Sequence, residues 1–199
     1  TDEVILFKSL KKKKRDTKLL YQPYVLKREE GSLNIVFRDR NLSDLIGFVY
    51  PSWFAKDAVN DFMRHLENTY LAFREKDILV TIALDGENAW EYFTNDGHDF
   101  LELLYARISE TSYIKAVTVN EYLKSNPPKK EISRLCAGSW IYGEFSKWIN
   151  NPYKNQGWDY LTVARRELED MLVQGKTVTD LAWKQMYICE GSDWFWWYG

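Results

Sequence analysis

The feature that most constrains this fold is the run Ile78-Leu79-Val80-Thr81-Ile82-Ala83-Leu84, in which the only polar group is one hydroxyl. A stretch this short, rich in β-branched residues, predicts a strand. Nothing alternates along it, so both faces need apolar cover, as in a parallel sheet flanked by helices. The neighbouring segments supply that cover. Residues 53–75 carry Phe54, Ala58, Phe62, Leu66, Tyr70 and Phe73 at helical spacing, and residues 96–109 carry Phe100, Leu103, Leu104 and Ile108. Residues 33–37 and 114–119 read as two further apolar strands, while Tyr21-Gln22-Pro23-Tyr24 reads as a turn or extended lead-in. The order strand, helix, strand, helix, strand gives an α/β class built from right-handed βαβ units.

The pattern changes after Leu123. Ser125-Asn126-Pro127-Pro128-Lys129-Lys130 is a loop, and only helical patterns follow, over residues 139–150, 153–174 and 179–189, with a break at Gly175. The expected division is therefore residues 1–124 as a (β/α) part and residues 125–199 as a helical part.

Composition narrows the function classes. Lysine plus arginine number 27 against 29 aspartate plus glutamate, a net charge of −2, which argues against a nucleic-acid footprint. The basic run Lys11-Lys12-Lys13-Lys14-Arg15 reads as a solvated face. No apolar run is long enough to span a membrane. The two cysteines, Cys136 and Cys189, match no metal spacing, and so few thiols fit a reducing, cytoplasmic setting. Aromatic residues make up 16% of the chain, more than a disordered protein carries. The chain begins at Thr1 without Met and stops just after five consecutive aromatics, residues 194–198, which reads as part of something longer.

The chemistry is expected where strands end, because ligands of parallel α/β folds bind at the carboxyl ends of strands. The 78–84 run delivers Asp85-Gly86-Glu87-Asn88-Ala89-Trp90. Two carboxylates flank a glycine, and an aromatic follows. A carboxyl beside rings suits a general acid, and carboxylates with flat rings suit sugars. The competing reading has Asp85 and Glu87 capping a helix and Trp90 in the core. The 33–37 strand leads similarly into Arg38-Asp39-Arg40-Asn41-Leu42-Ser43-Asp44, with helix capping as the alternative. Trp140 either stacks on a ligand or plugs a domain junction, and Asp193 beside Trp194 either faces a cleft or caps a helix. His65 and His98 have no Ser or Cys partner at a recognisable spacing. Asp39, Asp85 and Glu87 are a hard-cation set that nothing requires; no metal or cofactor is expected.

Leu84-Asp85-Gly86-Glu87-Asn88-Ala89-Trp90-Glu91 resembles the acid/base motif of glycoside hydrolase family 57, a family of α-amylases, amylopullulanases, 4-α-glucanotransferases and branching enzymes. Residues 37–48, residues 137–149 and residues 190–199 resemble that family in the same order, with the α-amylase/amylopullulanase-like members nearest in flavour. The resemblance implies the later strands of an incomplete, seven-fold (β/α) barrel followed by an all-helical domain. It implies an α-glucan or maltooligosaccharide substrate and a retaining mechanism. Asp85 is then the general acid/base, with Glu87, Trp90, Arg38, Asp39, Trp140, Asp193 and Trp194 around the substrate.

A retaining glycosidase needs two carboxyls about 5–5.5 Å apart. The family's nucleophile lies on an earlier strand, and Glu29 and Glu30 precede a strand rather than end one. Three strands do not close a barrel. The chain is thus expected to be the back portion of a larger enzyme, completed by an amino-terminal part, and inactive alone. The alternative is a non-catalytic carbohydrate-binding or structural module.

Overall fold

A computed structural model of the chain describes residues 1–74, 76–86 and 90–198. It divides into two compact units, residues 1–136 and residues 137–199.

In the first unit, α1 (Glu3–Ser9) starts at Asp2, whose side chain accepts the Val4 N–H at 2.9 Å. A short α2 (Thr17–Leu20) is capped in the same way by Asp16. Strands β1 (Tyr24–Arg28) and β2 (Gly31–Ile35) form an antiparallel hairpin with Tyr24 opposite Ile35. The lead-in expected at residues 21–24 thus opens a strand. Its apolar signal is short, Tyr24 to Leu26, before the charged Lys27 and Arg28 close it. The expected strand at 33–37 is confined to β2, which stops at Ile35.

Next come α3 (Arg40–Asp44), a wider helical turn over Leu45–Val49 and a tighter one over Tyr50–Ser52. The long helix α4 (Ala55–Ala72) follows, and then α5 (His98–Glu110). Residues 114–118 form no regular element, and Val119 opens α6 (Val119–Ser125) instead of ending a strand. The reason is a capping box. Thr118 Oγ1 accepts the Glu121 N–H at 3.3 Å, and Glu121 Oε2 accepts the Thr118 N–H at 2.7 Å. A two-residue β3 (Lys130–Glu131) pairs parallel to β1, giving the sheet order β2-β1-β3.

The parallel arrangement expected from βαβ units exists as single bridges. Asp2 pairs with Arg38 and Arg38 with Thr81, both parallel. The Arg38 N–H donates to Thr1 O at 2.7 Å and the Asp39 N–H to Thr81 O at 2.8 Å. Residues 78–84 are therefore not the continuous, doubly buried strand the run predicts. They are mostly half-buried, and their backbone partners are isolated groups rather than a ladder. Chain 36–39 turns into α3 at Arg40, so the neighbouring backbone leaves after one bridge.

Two apolar clusters hold this unit. One joins α4 and α5 through Ala58, Val59, Phe62, Phe100 and Leu104, with Tyr50 among them. The other joins α1 to the sheet through Ile5, Leu6, Tyr24, Ile35 and Phe37. Each of the Val, Leu, Ile and Phe side chains among them contributes about 1.5–3 kcal/mol of burial. Val80 borders both clusters.

In the second unit, residues 139–150 form turns rather than the expected helix. Tyr142, Gly143 and Asn150 take φ of 53°, 66° and 75°, outside the right-handed helical region. Helix α7 (Pro152–Val173) starts at the Asn151 cap with Pro152 in its first turn. It ends at Gly175, φ 71°. The Lys176 N–H reaches Met171 O at 2.9 Å and the Gly175 N–H reaches Leu172 O at 3.0 Å, the paired bonds of a Schellman ending. Helix α8 (Asp180–Cys189) is capped by Thr179, and α9 (Ser192–Trp197) follows. Phe195 of α9 stacks on Trp158 of α7, ring centroids 3.6 Å apart.

Candidate functional site

Residues 36–39 and 79–85 lie side by side and carry acidic groups at their ends. Asp39 is 1% exposed. Its Oδ1 accepts the Leu42 N–H at 3.0 Å, which starts α3. Its Oδ2 accepts the Tyr21 hydroxyl at 2.6 Å and Arg15 Nη2 at 2.6 Å. Arg15 also donates from Nε to Glu3 at 2.9 Å. In the sequence Arg15 closes a basic run with the pattern of a solvated face, and nothing there marks this role. The chain separation of 24 residues between Arg15 and Asp39 leaves no local signal.

Burial, and then the hydrogen bond to Asp39, pushes the Tyr21 phenol up to about 12. Partial burial disfavours the charged Arg15 guanidinium, but the Glu3 hydrogen bond and the charges of Asp39 and Glu3 outweigh it and raise it above its ordinary value.

Arg38 is 9% exposed. Its Nη1 donates to Ala83 O at 3.2 Å, its Nη2 pairs with Asp44, and its Nε lies 3.1 Å from Asp2 Oδ2. That last contact is an ion pair by distance, off the line of a hydrogen bond. The buried Ser43 Oγ accepts the Ala83 N–H at 3.3 Å.

Asp85 follows at the end of the 79–85 segment and is half-buried. Glu87, with Asn88 and Ala89, lies outside the described residues. Trp90 borders the α4–α5 cluster, 5.4 Å from Phe93 and 6.3 Å from Phe100 between ring centroids. A Cβ on Gly97 would stand 2.8 Å from Trp90 Cε3, so the ring lies directly on that glycine. Asn95 and Asp96 (φ 53° and 50°) together with Gly97 (φ 76°) form a left-handed turn that folds the chain back onto the indole.

Arg38 and Asp39 thus lie beside the segment that carries Asp85, joined to it by one parallel bridge. In the second unit, Trp140 sits half-buried in the turns. Asp193 stands exposed in the first turn of α9. Trp194 is 49% exposed and donates its indole N–H to Ile188 O at 2.9 Å. Among the described residues, no group of three His, Cys, Asp or Glu is placed to hold a metal ion. The two cysteines are not joined to each other. No described helix is long and apolar enough to cross a membrane.

Compared with known proteins, residues 1–134 match the family described as glycosyl hydrolase family 57. Among solved structures, the chain is similar to the crystal structure of 4-alpha-glucanotransferase from Thermococcus litoralis, at 19% identity and a TM-score of 0.57. That match covers 88% of this chain and 25% of the other, so the chain spans about a quarter of that structure's length. No curated protein sequence matches.

Proposed function

We propose, for a chain that belongs to glycosyl hydrolase family 57, that it carries the acid/base side of a site acting on α-glucans by hydrolysis or glucanosyl transfer with retention. The observation that supports this most is the parallel bridge between Arg38 and Thr81, which sets the segment leading to Asp85 beside the one that carries Asp39. Acidic groups at adjacent strand ends are where barrel enzymes keep their chemistry.

In this reading Asp85 protonates the leaving glycosidic oxygen. It then takes a proton from the incoming water or sugar hydroxyl. Glu87 supports it, and Trp90 offers a ring to the sugar. Arg38 and Asp39 complete the strand ends beneath them. Residues 1–124 belong to the latter part of a (β/α)7 barrel and residues 125–199 to a helical domain, within an α-amylase/amylopullulanase-like cytoplasmic enzyme. Double displacement needs a second carboxyl as nucleophile, and the resemblance to the family assigns it to an earlier strand outside this chain rather than to Glu29 or Glu30, which lie in the hairpin turn after β1.

The test is Asp85→Asn in the intact protein. A general acid/base is worth about 10²–10⁴ in rate; glucan turnover within a few-fold of wild type would refute the assignment. The 199-residue chain alone, incubated with maltooligosaccharides, is expected to yield no new products; turnover by it would place the nucleophile within the chain.

A further inference from the structure

We infer that Ser43, Arg38 and Asp44 are positioning residues for Asp85, acting by clamping the backbone of Ala83 one strand period before it. The inference rests on the reading of Asp85 as acid/base.

Up to Thr81, residues 79–85 are held by backbone: the Asp39 N–H donates to Thr81 O at 2.8 Å. Beyond that point the neighbouring chain has turned into α3. Side chains from that turn take over. The Ala83 N–H donates to Ser43 Oγ at 3.3 Å, and Ala83 O accepts Arg38 Nη1 at 3.2 Å. Both main-chain polar atoms of one residue are therefore held by side chains of the 38–44 segment. Ala83 itself is exposed, so packing does not fix it.

The clamp is braced in turn. Asp44 pairs with Arg38 from the end of α3, and Asp2 stands 3.1 Å from Arg38 Nε. Asp39 caps α3 through the Leu42 N–H and is pinned by Tyr21 and Arg15. The residues around Ala83 thus link a buried ionic group to the two peptide units that flank Ala83, two residues before Asp85. Acid/base chemistry needs such support, because a displacement of about 1 Å costs on the order of 10²-fold in rate.

Ser43→Ala removes one jaw of the clamp with the least disturbance to the fold; Ser43→Thr keeps the hydroxyl. In the 199-residue chain, Ser43→Ala is expected to speed amide exchange at Ala83 about tenfold. It is also expected to move the Asp85 carboxyl titration, followed by NMR, by about half a pH unit. In the intact protein it is expected to lower kcat about tenfold with KM unchanged, the signature of a loss confined to the transition state. Ser43→Thr restores all of these. Arg38→Gln is a second variant with the same expected direction at Asp85. An unchanged Asp85 titration in both Ser43→Ala and Arg38→Gln overturns the inference, as does a loss of kcat matched only by a loss of thermal stability. If Asp85→Asn leaves turnover intact, the acid/base reading falls, and the clamp is decided by the two NMR measurements on the chain.

Discussion

Tyr21 donates its phenolic hydrogen to Asp39 Oδ2 across 2.6 Å, and Arg15 binds the same oxygen at 2.6 Å. One carboxylate oxygen thus ties the segment leading into β1 to the start of α3. Hydrogen bonds to a charged group contribute about 1.5–3 kcal/mol. Tyr21→Phe is expected to destabilise the chain by about 2 kcal/mol in urea unfolding, with the urea slope unchanged. A loss below a few tenths of a kcal/mol would show that the bond contributes no net stability.

The pH dependence of stability follows from the tyrosines. Burial is the leading cause that raises Tyr21 and Tyr24 to about 12, and burial with an Asp61 hydrogen bond raises Tyr50 as well. Each is raised above its unfolded value of about 10. Their neutral forms therefore favour the fold fully below pH ~10, and that contribution is lost as pH rises toward ~12. Melting temperature is expected to fall through this window, and Tyr21→Phe is expected to flatten the fall. An equal slope in the variant would exclude Tyr21 as a contributor.

Gly97→Ala is expected to lower stability by about 2 kcal/mol. The residue has φ 76°, and its added Cβ would stand 2.8 Å from Trp90 Cε3. A left-handed non-glycine residue costs about 1–3 kcal/mol by itself. A shifted Trp90 indole N–H resonance alongside the loss would locate the effect at the indole; an unchanged resonance with full stability would contradict the close approach.

Trp158→Ala is expected to destabilise the second unit by about 3 kcal/mol, within the range for removing a large aromatic. The indole stacks on Phe195 with planes 9° apart and donates to Trp148 O at 2.9 Å. Gly157→Ala tests the same contact from the side, since its Cβ would meet Phe195 Cε1 at 2.9 Å. Near-ultraviolet circular dichroism reads both, and an unaltered aromatic spectrum in both variants would contradict the stack.

The long helices were legible because their information is local. The helical spacing of Ala58, Phe62 and Leu66 marks α4, though Phe54, expected on the same face, stands exposed ahead of it, and the Gly175 break marks the end of α7. The 114–119 segment misled because its apolar content outweighed, in the reading, a capping box that in the folded chain fixes Thr118 and Glu121. Residues 78–84 were recognised as central but misjudged in pairing, since a ladder depends on where the neighbouring chain turns away. At the site, the acidic strand ends were visible as residue types. The recruitment of Arg15 and Tyr21 to Asp39 was not, because pairs 24 and 18 residues apart carry no periodic trace.

Val80 borders both apolar clusters of the 1–136 unit, one built on α4 and α5 and the other on α1 and the sheet. The two halves cannot loosen independently. Opening either one exposes part of a segment the other also needs, so the free energies of opening are coupled. Heat or denaturant is therefore expected to melt this unit in one transition rather than fray it from its smaller sheet.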